Sequence, residues 1–207
     1  MDPNTFPTKG NLMIARNTLR MSRQGYDLLD KKRNVLIREL MELNEKAREI
    51  QAGMERVFKE AYAALQSANI ELGISNVEHI SYGVPAETSV RIRARSVMGV
   101  EIPLVTYENR TDRKPFFGLV NSSSSLDTAV QKFNAVKDLI VLLAMYENAA
   151  YRLAVSIKKT QIRANALKNV SIPRYEALVK SIKETLDERE RDDFARLKVI
   201  KKLADGE

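Results

Sequence analysis

Residues 12–71 read LMIARNTLRMSRQGYDLLDKKRNVLIRELMELNEKAREIQAGMERVFKEAYAALQSANIE, and their spacing decides the fold. Stepped in sevens, one row runs Leu12, Leu19, Tyr26, Arg33, Leu40, Ala47, Met54, Ala61, Ala68. A second runs Ala15, Ser22, Leu29, Leu36, Leu43, Ile50, Val57, Ala64, Glu71. Fifteen of these eighteen positions are apolar, the exceptions being Arg33, Ser22 and Glu71. Nine heptads in one register predict a coiled coil rather than an amphipathic helix lying on a globule. At 1.5 Å per residue, a helix from Asn11 to Gly73 is roughly 90 Å long. Arg33 on the seam has two readings: it snorkels to water at little cost, or it fixes pairing register as buried polar seam residues do.

A second long element follows Ser122-Ser123-Ser124-Ser125, where a serine suits the N-cap and Asp127 lies near the positive end of the helix dipole. Its first half carries a heptad row of Leu126, Ala129, Phe133, Val136, Ile140, Leu143, Glu147, Ala150, Ala154, Ile157. Beyond Thr160 a spacing of 3, 4, 4 fits better, through Ala164, Leu167, Ser171, Tyr175, Leu178, Ile182, Leu186, Arg189, Asp193, Leu197, Ile200, Leu203. Such an 11-residue repeat unwinds a left-handed supercoil, so this end is expected to run straighter. Pro173 removes one main-chain donor and is a candidate bend.

The few glycines and prolines mark the turnaround. Gly53 is the only one between Tyr26 and Leu72, and Pro173 the only one between Leu119 and Asp205. Residues 73–118 hold seven: Gly73, Gly83, Pro85, Gly99, Pro103, Pro115 and Gly118. Gly and Pro punctuate structure, so the chain reads as two uninterrupted rods around a broken centre. The expected organisation is an N-terminal extension (1–10), a first coiled-coil helix (11–73), a turnaround region (74–121) and a second helix (122–204). The rods pair most simply as one antiparallel hairpin. If Leu72 faces Leu126, equal rise puts Leu12 opposite about Leu186. Residues 187–207 then overhang, and LDERERDDFARLKVIKK meets water or another protein.

Within the centre, Thr88 to Arg95 alternates, with Val90, Ile92 and Ala94 on one face and Ser89, Arg91, Arg93 and Arg95 on the other. Val100 to Thr106 is β-rich, and Met98-Gly99 suits a tight turn, so a hairpin over about 88–106 is expected. Pro103 belongs on an edge or at a bulge. Two strands alone are unstable and must lean on the helices. The fold class is therefore mainly α: two very long helices in an antiparallel coiled coil, with a short β-hairpin region between them.

The chemistry excluded is broad. The 207 residues include no Cys, no Trp and one His, which removes disulfides, thiol nucleophiles, Cys-based zinc sites and paired-His metal sites within one chain. His79 reads as a polar surface residue near a helix end. Glu188/Glu190 and Asp192/Asp193 read as a solvated charge face, since a two-helix rod offers no pocket to desolvate them. Lys9 and Gly10 lack phosphate-loop spacing. Neither catalytic residues, cofactor nor metal is expected. The net charge is +7, yet the basic residues interleave with acids along both rods and carry no nucleic-acid motif, so nucleic acid is not the expected partner. The longest apolar run, Leu139 to Tyr146, is short of the roughly 20 residues of a membrane span. The N-terminus MDPNTFPTKG lacks signal-peptide features, making the cytosol the default and the Asn-x-Ser/Thr matches at Asn109, Asn121 and Asn169 chance.

Pro7-Thr8-Lys9-Gly10-Asn11-Leu12 followed by Gly25-Tyr26-Asp27-Leu28-Leu29-Asp30-Lys31-Lys32-Arg33 resembles the N-terminal signature of the D subunit of V-type (archaeal/bacterial A/V-type) rotary ATPases. Arg163-Ala164-Asn165-Ala166-Leu167, then Ile172-Pro173-Arg174-Tyr175-Glu176, is similar to the family's C-terminal helix motif. So is Ile182-Lys183 through Leu186-Asp187-Glu188-Arg189-Glu190-Arg191, while Met98-Gly99-Val100 ahead of Pro103 is similar to the central hairpin. Arg163-Ala164 is less basic than the family pattern. The resemblance implies a non-catalytic rotor shaft on the cytoplasmic side of the membrane, peripheral within a membrane-bound ion-translocating complex. The implied partners are the A and B subunits of the catalytic hexamer, the small F subunit, and the C (or d) subunit above the membrane rotor ring, with no membrane insertion. Candidate partner contacts are Lys9, Arg16, Arg20, Arg174, Arg189 and Arg196 near the ends, Arg163 in the C-terminal helix motif, and Arg91, Arg93 and Arg95 on the hairpin. A prefoldin-like chaperone is the rival reading, and a basic nucleic-acid adaptor the third.

Overall fold

A computed structural model describes residues 6–85, 90–107, 118 and 122–204. The first five residues of the expected N-terminal extension, Thr88 and Ser89 of the expected strand, Asn109, Pro115 and Asn121 lie outside the described residues. Helix α1 spans Lys9–Leu72. Its start is capped by Thr8, whose Oγ1 accepts the Asn11 main-chain N–H at 3.2 Å. It ends at Gly73, whose φ of +80° suits a residue without a side chain. A short helix α2 (Ile74–Ser81) follows and carries His79, exposed, in its last turn.

Strands β1 (Val90–Val97) and β2 (Val100–Tyr107) form an antiparallel pair. Met98 (φ 49°) and Gly99 (φ 76°) are both left-handed, as a two-residue type I′ hairpin turn requires. Helix α3 (Ser124–Ala166) passes into a five-residue π turn (Leu167–Ser171) and then α4 (Ile172–Ala204). The described residues are thus mainly helical, with one small sheet.

The chain divides into two compact units, residues 35–157 and residues 1–34 with 158–207. In the first, Leu36 and Leu43 of α1 meet Ala149 and Leu153 of α3 and Ile102 of β2, with Leu40, Val97, Val100, Tyr146 and Ile157 packed around them. Gln51 Nε2 donates to Glu147 Oε1 at 3.1 Å, and Lys132 Nζ meets Glu60 Oε2 at 2.7 Å. Tyr62 and Phe133 stack edge-on with centroids 5.6 Å apart. These contacts ascend α1 as they descend α3, so the pairing is antiparallel. The second unit repeats the pattern with Lys9–Glu190 at 2.8 Å, Arg23–Glu176 at 2.6 Å and Arg33–Gln161 at 2.8 Å. Its buried side chains are only Ala15, Thr160, Ala164 and Ile182 among the described residues.

The buried residues of α1 are Ala15, Leu36, Leu43, Ala47, Ala61 and Ala68, and all six lie on the two heptad rows. The row expected for α3 fares differently. Leu126, Ala129 and Val136 are buried, but Ile140 is 45% exposed, Glu147 and Ala154 are exposed, and Ala149 and Leu153 are buried instead. The heptad therefore gives way well before Thr160. A straight helix drifts about 20° per heptad from a 3.5-residue repeat, and here Ile102 of the hairpin packs on the face into which the seam drifts.

The hairpin leans on the helices by one side and one edge. Ile102, opposite Arg95, is buried, and Val97 and Val100 pack beside it. The outer edge of β2 is met by α3: Val105 N–H points to Met145 Sδ at 3.2 Å, and Arg152 Nη1 donates to the Glu101 carbonyl at 3.2 Å. Counting out from the turn, Pro103 falls at a non-hydrogen-bonded pair with Ala94, so its missing donor costs the ladder nothing.

Candidate partner-binding site

All ten basic residues singled out in the sequence are exposed. Lys9 and Arg189 come together where the start of α1 meets α4. Lys9 pairs with Glu190 at 2.8 Å, and Arg189 Nη1 donates to the Pro7 carbonyl at 3.2 Å. The hydrogen bond and charge of Glu190 raise the Lys9 pKa above the ordinary lysine value, and Lys9 lowers that of Glu190 in return. Arg20 lies one turn from Asn17, with Nη2 at 3.4 Å from its Oδ1. Arg16, Arg163, Arg174 and Arg196 point outward on their helices. On the hairpin, Arg95 reaches Glu39 at 3.7 Å, while Arg91 and Arg93 stand along the same strand face. The ten side chains do not converge on one centre. Among the described residues no group of three or more His, Asp or Glu side chains could hold a metal ion.

Apolar surface is the feature that charge reasoning missed. On α3, Ile140, Ala144, Tyr151 and Val155 recur at i, i+4, i+11 and i+15, which places them on one face, and all are exposed, Tyr151 at 70%. They lie opposite Ala149 and Leu153, so this part of the helix has an apolar face in the core and another in solvent. By length and composition alone, the helical run Ser124–Leu203 contains a window apolar enough to cross a membrane. The signal was present in Leu139–Tyr146, a run too rich in apolar residues for a single seam.

Further patches follow the same logic. On the hairpin, Val90, Ile92 and Ala94 share the face turned away from Ile102, and Ile92 is 72% exposed. On α4, every residue from Asp187 to Leu203 is exposed, among them Phe194, Leu197, Val199, Ile200 and Leu203. Ile70, Ile74 and Tyr82 are exposed around Gly73. Apolar surface of this extent marks contact with other macromolecules.

Comparison with known proteins gives one consistent result. The family model of the ATP synthase D subunit matches residues 11–202. The D subunit of the V-type ATP synthase of Thermotoga neapolitana is 42% identical over 195 residues, covering 94% of this chain and 96% of its own. The D subunit of the A-type ATP synthase of Desulfurococcus sp. is 37% identical, covering 98% and 96% respectively. That of Pyrococcus furiosus is 34% identical, with coverage of 97% and 94%.

Proposed function

We propose, since this chain belongs to the family of ATP synthase D subunits, that it is the central rotor shaft of a V/A-type ATP synthase, a non-catalytic subunit of that complex. It carries torque between ATP hydrolysis or synthesis in the A/B hexamer and ion translocation in the membrane sector. The observation that carries this reading is the terminal stretch of α4. From Asp187 to Leu203 the helix buries nothing of its own and yet exposes five large apolar side chains. Such a surface calls for a cover supplied by other chains, and the A/B hexamer is that cover.

The remaining patches suit the remaining partners. The F subunit lies along the Ile140–Ala144–Tyr151–Val155 face of α3, and the exposed Ile70, Ile74 and Tyr82 end rests on the C (or d) subunit. Arg91 and Arg93, on the side of the hairpin that also bears Ile102 and the Glu39-bound Arg95, stay exposed and meet a neighbouring component of the stalk alongside α1. A shaft that passes equivalent catalytic positions on each turn needs contacts of nearly equal depth, because one tight site traps it. Charges spread along the helices meet that need better than a single hot spot.

The test is a chain truncated after Leu186 in the reconstituted complex. Binding of the F subunit is expected to persist while ATP-driven ion pumping is lost. Undiminished pumping would overturn the reading.

A further inference from the structure

In the unit of residues 1–34 and 158–207, both helices are weak at one level. On the C-terminal side, the π turn closes its last bond from the Ile172 N–H to the Leu167 carbonyl, five residues back. Pro173 follows and has no N–H to offer, so one carbonyl of this turn lacks a main-chain donor. In a regular helix its ring would also press on the carbonyl four residues back, that of Asn169, which sits in the widened turn. Lys168, Asn169 and Val170 are all exposed, so that carbonyl is open to solvent.

The facing part of α1 holds Gly25. A Cβ built there would lie 3.6 Å from Leu167 Cδ1, which is ordinary van der Waals contact, so packing leaves room for alanine. Space does not explain the glycine. Its effect is on the helix, which a glycine weakens about fivefold at that site relative to alanine.

Burial completes the pattern. No side chain between Ala164 and Ile182 is buried, and none between Ala15 and Asn34. Leu167 lies against Gly25 and, like Tyr26, Leu29, Tyr175 and Leu178, is only half-buried. The other contacts over this interval are Arg23 to Glu176 at 2.6 Å and Lys168 over the Tyr26 ring at 5.8 Å. Segments with few buried contacts open locally at the low end of a protein's stability range.

We propose that residues 16–29 and 165–181 form a compliant joint, bounded on one side by the Arg33–Gln161 bond. It opens by local melting while the seam positions on either side, Thr160 and Ala164 before it and Ala15 and Ile182 after it, stay closed. Its use in torque transmission rests on the rotor reading, since a joint here lets residues 187–203 reorient under load.

Amide hydrogen exchange on the full chain tests the joint without any partner. Amides of 166–175 are expected to exchange at least about tenfold faster than those of 153–163. Gly25→Ala is expected to slow exchange in 166–175 about fivefold, across the seam from the substitution. Gly53→Ala, made where nothing lies within 4 Å of the new side chain, serves as the control and is expected to leave 166–175 unchanged. Equal protection of 166–175 and 153–163 overturns the joint, and so does a Gly25→Ala chain whose exchange in 166–175 is unaltered. Spin labels at Lys158 and Lys183 give an independent readout: a broad distance distribution that narrows in Gly25→Ala/Pro173→Ala supports the joint, and a single narrow one overturns it. In the reconstituted complex the double variant is expected to pump fewer ions per ATP. Unchanged coupling there overturns the mechanical role alone, whereas failure of the chain to assemble with an A/B hexamer overturns the rotor reading and leaves the exchange result standing.

Discussion

Arg33 Nη1 donates to Gln161 Oε1 at 2.8 Å, which ties a seam position of α1 to the facing helix. Its Nη2 holds Asp30 at 2.6 Å one turn back, and the side chain is three-quarters buried. The guanidinium therefore spans the seam rather than escaping it, the geometry of a register-fixing residue.

Replacing Arg33 by Leu removes the need to desolvate a charge, and stability is expected to stay within about 1 kcal/mol or rise. Register is expected to loosen. The chain has no cysteine, so engineered pairs report cleanly. Cysteines at Arg23 and Glu176 should cross-link in either background, whereas cysteines at Arg23 and Lys183, one heptad out of step, should cross-link only with Arg33→Leu. Absence of that second product would falsify the register role.

Met98 occupies a left-handed position, φ 49°, that costs an ordinary L residue roughly 1 kcal/mol. Asn takes that conformation more readily, so Met98→Asn is expected to stabilise the hairpin by roughly 0.5–1 kcal/mol. Gly99→Ala, at φ 76°, is expected to destabilise it by about 1 kcal/mol. Urea denaturation of the two variants beside the parent measures both signs.

Two carboxylates make helix pairing in the 35–157 unit sensitive to acid. Lys132 holds Glu60 below the ordinary glutamate value by hydrogen bond and charge, and the nearby Ser123 and Ser125 hydroxyls lower Glu71 as well. A carboxyl with a lowered folded pKa stabilises above its unfolded value, and that contribution is lost as pH falls through the folded one. Melting temperature is therefore expected to drop on acidification below the ordinary glutamate range, and less steeply in Lys132→Ala/Glu71→Gln. Both groups face solvent, so added salt should shrink the Lys132 part. Melting curves across pH at two salt concentrations check it.

Burial separates the roles of two large apolar residues. Leu153 is fully buried beside Leu36, and Leu153→Ala is expected to cost about 2–5 kcal/mol, as such a cavity usually does. Phe194 is 71% exposed, and Phe194→Ser is expected to change the stability of the isolated chain by no more than about 0.5 kcal/mol. Its effect should appear as weaker retention of A and B subunits in a pull-down. Equal stability losses in the two variants would contradict this division.

The sequence made α1 readable because its seam involves one partner and one period. The six buried residues fall on the two rows that the apolar spacing picks out, from Ala15 to Ala68. The Met98-Gly99 turn was readable for the same reason, since its chemistry is local. In α3, single-helix periodicity could not register a third body: Ile102 arrives from the hairpin and makes Ala149 and Leu153 the buried pair. The π turn left only indirect traces, the change to 3, 4, 4 spacing and Pro173. For the candidate surfaces, net charge drew attention to ten arginines and lysines, whereas solvent-facing Ile140, Tyr151 and Ile92 became visible only once the core had been filled.

Among the described residues, seven of the fourteen buried apolar ones are alanine. An alanine has no rotamers to surrender, so zipping two helices over it orders almost nothing beyond the backbone. It also projects no knob into a neighbouring hole, and therefore offers little to climb over when one helix shifts along the other. Such a contact forms quickly and lets go quickly. In the rotor shaft proposed above, which would be gripped, turned and regripped many times, low internal friction has a use that a tighter core would forfeit.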